Sequence, residues 1–93
     1  MGFSVGDVRA SFDETTFARG LGYARSGRVL RLDVSADGRS IEATVRGSSA
    51  IPYEVAVAVR PRHGRVYLHG SCDCPVAVNC KHCAAAAILA AEG

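Results

Sequence analysis

Near its C-terminus the chain reads Ser71-Cys-Asp-Cys-Pro-Val-Ala-Val-Asn-Cys-Lys-His-Cys83, which brings Cys72, Cys74, Cys80 and His82 into one short stretch. Each half of the pattern is a pair of soft ligands one residue apart. Two such pairs suit a tetrahedral site for one Zn²⁺ per chain, with three thiolates and a neutral imidazole filling every position. A filled zinc has no place for an activated water. The expected site is therefore structural, and the chain is expected to be a binding module, not an enzyme. A C-x-C…C-x-x-C set, with Cys83 in place of His82, is the competing ligand choice.

Disulfides explain the cysteines less well. All four fall between Cys72 and Cys83, so bridges could staple only this corner. A Cys72–Cys74 bridge would be badly strained. Met1 to Arg9 holds no apolar run and contains Asp7, unlike a secretory signal. A reducing, cytoplasmic setting is expected, where clustered cysteines favour metal over disulfide.

The segment resembles the SWIM zinc finger, a family defined by C-x-C-x(n)-C-x-H. Cys72, Cys74, Cys80 and His82 carry the likeness, with Pro75, Lys81 and the alanine-rich run from Cys83 to Ala91. Arg19-Gly20, Tyr23 and Ser26-Gly27-Arg28-Val29 are similar to the segment preceding the finger in many bacterial members. The resemblance implies that His82 rather than Cys83 is the fourth ligand. It also implies a role in binding DNA or protein, as in bacterial Swi/Snf-type helicases and Mutator-type transposases. The gap of five residues between Cys74 and Cys80 is at or below the short end for that family.

The chain has 93 residues, enough for a single domain spanning 1–93. Such a chain has a thin core, which a zinc staple would help to hold. Hydrophobic residues make up 48% of it, a globular rather than disordered composition. The longest apolar run, Cys83 to Ala91, is mostly alanine and too short to cross a membrane, so no membrane partner is expected. No small-molecule substrate is expected either. The formal charge is +2, far from the strongly basic balance of a committed nucleic-acid binder. Yet ten of the eleven basic residues are arginine, which grips phosphate and carboxylate alike through planar, bidentate contacts.

The expected architecture is α+β: an N-terminal helix, a four-stranded antiparallel meander, a zinc-binding loop and a C-terminal helix. Ser11-Phe-Asp-Glu14 reads as a capping box opening a helix over 12–26, with Phe17, Leu21 and Ala24 facing the core and Gly27 at its end. The meander covers 28–71. Alternation there turns Leu30, Leu32 and Val34 inward, then Ile41, Ala43 and Val45 after the Asp37-Gly38 turn. Tyr53, Val55, Val57 and Val59 follow on one face, and Pro61 to Gly64 forms the next turn. The finger and last helix occupy 72–92, with Asn79 as the expected helix cap. The two ligand pairs then clip the sheet to the helix.

Two roles in different classes follow. As an accessory DNA-binding module, the chain would contact phosphate through Arg60, Arg62, Arg65 and Lys81. As a protein-interaction adaptor, zinc would hold a docking surface instead. Ordinary solvated surface is the plain account of Arg31 and Arg46, and core packing that of Tyr23, Tyr53 and Tyr67. His63 and His69 lack ligand partners at useful spacing.

Overall fold

A computed structural model describes residues 2–93. Its elements run α1 (Val5–Ser11), α2 (Glu14–Arg25), β1 (Val29–Val34), β2 (Ser40–Val45), β3 (Tyr53–Arg62), β4 (Arg65–Cys72) and α3 (Lys81–Glu92). The four strands form one antiparallel sheet in the order β1-β2-β3-β4. The α+β architecture and the meander are as the sequence predicts.

The helix expected over 12–26 is α2, but the sequence reading misses α1 before it and misplaces the cap between them. Ser4 caps α1, its Oγ accepting from Asp7 N while the Asp7 carboxylate accepts from Ser4 N, which is a capping box. The box read at Ser11–Glu14 does not form. Ser11 instead ends α1, and its hydroxyl donates to Asp7 O and accepts from Leu68 N of β4. Asp13 caps α2, accepting from Thr16 N at 2.8 Å. Both residues are small oxygen-bearing caps, so composition alone does not choose between them.

One sheet face is buried by alternation. Ile41, Ala43, Val45, Val55, Val57, Val59 and Leu68 point into the core. Leu30 departs from the expected pattern and is 48% exposed. The register shifts between Val29 and Arg31, a bulge that leaves Leu30 unpaired and turned outward, while Val29 takes the inward place opposite Val45. The β3–β4 turn is also tighter than expected. His63 and Gly64 alone form it, with φ 52° and 75°, the two positive angles of a type I′ hairpin, and Arg62 pairs directly with Arg65. β2 reaches only as far as Ala58, so beyond it the β3–β4 hairpin projects as a two-stranded ribbon. Pro61, lacking an N–H, is tolerated there because that side of β3 has no partner strand.

α3 lies between the sheet and α2, touching all four strands and both other helices. His82 through Ile88 and Ala90 are buried, a helix enclosed on all sides. Alanine makes that position attainable, because short side chains let two layers approach one backbone. At the α2 crossing a Cβ on Gly20 would fall 2.6 Å from Ala84 Cβ. A bidentate pair from Arg25 to Glu92, at 2.8 and 2.5 Å, joins the C-terminal ends of α2 and α3. Among the described residues, no helix is long and apolar enough to cross a membrane.

Candidate metal centre

β4 ends by turning Cys72 inward, and Cys74 follows on the same side after one outward residue. The chain then folds back along the outer edge of β4. Cys72 N donates to Ala77 O at 2.8 Å, and Asn79 N donates to Gly70 O at 2.9 Å. The Asn79 side chain accepts from Gly70 N at 2.7 Å. With Ser11 on Leu68 N, these contacts pair successive outward amides of β4 and close an edge that would otherwise recruit other strands. The five-residue gap is short enough to force Ala77 to φ 70° and Asn79 to φ 47°. Asparagine tolerates that conformation, while alanine does so at about 1 kcal/mol or more.

Asn79 is thus not the helix cap the sequence suggests. Cys80 is the N-cap, with no side-chain cap bond, and Asn79 is spent on β4 because the fold-back brings Gly70 against it. Cys80 and His82 then enter from the first turn of α3.

The ligand atoms of Cys72, Cys74, Cys80 and His82 all lie within 4.8 Å of one another, and this group can hold a single metal ion. The four residues are 9%, 6%, 3% and 3% exposed, so the centre is closed to solvent. His82 turns Nδ1 toward it, 3.7 Å from Cys72 Sγ and 3.5 Å from Cys80 Sγ. Tyr23 and Tyr53 hold the imidazole from two sides, with ring centroids 5.4 and 4.8 Å away. A Cβ on Gly47 would lie 3.0 Å from Nε2, so this ring position needs a glycine there. Nε2 is buried without a hydrogen-bond partner, which leaves Nδ1 as the nitrogen that serves the centre.

Cys83 stands outside the group. Its thiol is 3.7 Å from Cys80 Sγ, but it is fully buried at the helix–sheet contact against Gly70. Hydrogen bonding to Cys80 and burial push its pKa well up. The same Cys83 thiol, followed by backbone N–H groups at the start of α3, holds Cys80 down to about 4. Burial raises the Cys72 thiol. One thiolate is therefore favoured at the mouth of the helix even among the protein groups alone.

The cationic residues predicted to act together are separated. Arg60, Arg62 and Arg65 sit on the projecting hairpin, whereas Lys81 begins α3 beside the centre. The length of β4 between them is about 23 Å at the usual rise. Lys81 lies over the Tyr23 ring, its Nζ 5.8 Å from the centroid. Tyr23 and Tyr53 pack at the centre, but Tyr67 is 46% exposed. Asn79, Gly47 and the two tyrosines acquire their roles only through contacts distant in sequence. Compared with known proteins, the chain matches no family model, no curated protein and no solved structure.

Proposed function

We propose that the chain is a small binding module stapled by one structural Zn²⁺, of SWIM-like type, acting as an accessory nucleic-acid-binding domain and not as an enzyme. The closed four-donor group carries this reading. A tetrahedral zinc with its usual arms to sulfur and nitrogen has S···N edges of about 3.6 Å. The 3.5 and 3.7 Å separations at His82 Nδ1 agree with that. Three thiols and one imidazole are also the donor set zinc prefers over harder ions.

When bound, zinc supplies a rigid joint between strand and helix. Cys72 and Cys74 anchor that joint in β4, and Cys80 and His82 anchor it in α3. Four protein donors leave no position for substrate, which supports a structural role. Native mass spectrometry of the purified chain tests the metal: one zinc per chain is expected, and a folded protein with none would defeat the reading.

Nucleic acid is favoured as partner because Arg60, Arg62 and Arg65 make no ion pair among the described residues. Uncommitted arginines suit phosphate. A protein-interaction adaptor is the second reading, favoured by Val76 and Val78, which are 63% and 51% exposed on the loop beside the centre. Titration of the zinc-loaded chain against DNA and RNA at low and high salt separates the two. Salt-sensitive binding supports nucleic acid, and none at low salt supports the adaptor.

A further inference from the structure

We infer that the outer face of the sheet, at the end remote from the metal centre, is a site for single-stranded nucleic acid built from Arg39, Arg60, Arg62 and Tyr67. The inference rests on the nucleic-acid reading above and changes its contact residues. Lys81 leaves the set, Arg39 and Tyr67 join it, and Arg65 stands at its edge across from Arg62.

The four side chains line one groove of about 470 Å³, with Ala58 in its floor. Strand register explains why they meet. Tyr67 lies directly across from Arg60, and Arg62 across from Arg65. Arg39 arrives from the residue just before β2, where its carbonyl accepts from Val59 N at 2.8 Å. All four are exposed, and Arg60, Arg62 and Tyr67 alternate with the inward Val57, Val59 and Leu68, on the face opposite the core, while Arg39 reaches the groove from the edge beside Val59.

Charge marks this end of the face as distinct. At the other end Arg31 is bound to Asp33 and to Glu54, and Glu42 and Asp73 add further negative charge nearby. At the groove end, none of Arg39, Arg60, Arg62 and Arg65 makes an ion pair among the described residues. Two arginines directly opposite each other on paired strands repel and weaken the sheet. An anion between them removes that cost.

Tyr67 chooses among anions. It is a half-exposed aromatic ring on the outward face of β4, across from Arg60 and with Ala58 in the same groove. Such a ring offers a face on which an unpaired base can stack while adjacent phosphates reach the arginines. In a duplex the base faces are already occupied by their neighbours, so Tyr67 has nothing to stack on. An acidic peptide would satisfy the arginines but not the ring. The acidic end of the same face keeps the footprint short.

The test is fluorescence anisotropy with the full zinc-loaded chain, using a short fluorescein-labelled oligothymidylate, its RNA counterpart, a duplex of equal length and a polyglutamate peptide. Single strands should bind best, with a log–log salt slope of about −2 for three phosphate contacts. Tyr67→Ala should weaken single-strand binding roughly ten-fold. Arg60→Glu with Arg62→Glu should abolish it, and Lys81→Ala should leave it unchanged, all with zinc content and circular dichroism intact. Single-strand binding that survives the double arginine change overturns the site while leaving the nucleic-acid function standing. Duplex preference with no effect of Tyr67→Ala overturns the single-strand assignment. Equal affinity for polyglutamate overturns it in favour of an acidic protein segment. No binding by the folded, loaded chain overturns both site and function.

Discussion

Gly70 and Cys83 meet so closely that no side chain fits between them: a Cβ on Gly70 would fall 2.5 Å from Cys83 Cβ and 2.6 Å from its Sγ. This contact sets the distance between β4 and α3, and hence the distance between the two ligand pairs. Gly70 is also bonded twice to Asn79, so the strand cannot retreat without opening the loop.

Gly70→Ala is therefore expected to destabilise the domain by about 2 kcal/mol or more, at the upper end for overpacking. Because the first clash is with Cβ, adding Cys83→Ala should not rescue it. Thermal or denaturant melts of the single and double variants check this. Restoration by Cys83→Ala would show that only the sulfur was crowded.

The ligand choice gives a sharper contrast. Cys83→Ala should keep the metal and cost about 1 kcal/mol, as for loss of one small buried group. His82→Ala should weaken metal binding strongly, because it removes Nδ1 and empties the space between Tyr23 and Tyr53. Metal content after dialysis is the measurement. Loss of metal in Cys83→Ala, with retention in His82→Ala, would mean a four-cysteine site.

Much of this was legible in the sequence where one local rule sufficed. Alternation found β2 and the inward face of β3, because Glu42 and Thr44 separate the apolar residues of β2 and the smaller Ala56 and Ala58 separate the valines of β3. Spacing singled out the donors that the fold gathers, since C-x-C and C-x-H each place two on one side of a short element, and the family resemblance pointed to His82 over Cys83. The readings failed where a distant contact decided between equal local choices. Ser4, Ser11 and Asp13 can all cap a helix, and Leu68 N settles Ser11 by claiming its hydroxyl. Nothing near Leu30 signals the bulge. Arg39 and Tyr67 are twenty-eight positions apart, and only the sheet register places both beside Arg60.

Metal removal should loosen the domain. Structural zinc supplies on the order of 10 kcal/mol of apparent binding energy, comparable with a small domain's whole stability. Excess chelator at neutral pH is expected to lower the melting temperature and to fray the start of α3 first, while β2 and β3 keep their hydrogen bonds. Amide exchange at Lys81 to Ala84 against Ile41 to Val45 checks the order. An unchanged melt after confirmed metal loss would remove the metal's structural role.

Acid should act in the same direction. Protons compete with the metal for thiolate and imidazole, so affinity falls as pH falls. The Cys80 thiol is drawn down to about 4 from its ordinary value of 9.0. A depressed value stabilises the folded state fully above the unfolded thiol's value, and that contribution is gone once pH has fallen through about 4. Melting temperature and metal content should therefore decline together on acidification. A melt that is flat down to pH 4 with metal retained would contradict this.

Asn79 offers a way to weaken the centre without touching a ligand. It holds φ 47° and makes two hydrogen bonds with Gly70, one from its backbone N–H and one to its side-chain oxygen. Asn79→Ala removes the side-chain acceptor, leaves Gly70 N unsatisfied, and places a Cβ-bearing residue without a local bond in the left-handed region. The combined cost is expected to be about 2–3 kcal/mol. Asn79→Gly relieves the backbone cost but still loses the acceptor, so it should fall between the two. Because the ligands stay in place, metal stoichiometry should remain one per chain, while exchange with free zinc speeds up as the loop detaches more often from β4. Isotope exchange of the bound metal, read alongside the melts, separates these effects. Equal exchange rates in all three proteins would mean that the four ligands alone hold the loop, and that the Asn79–Gly70 pairing only closes the edge of the sheet.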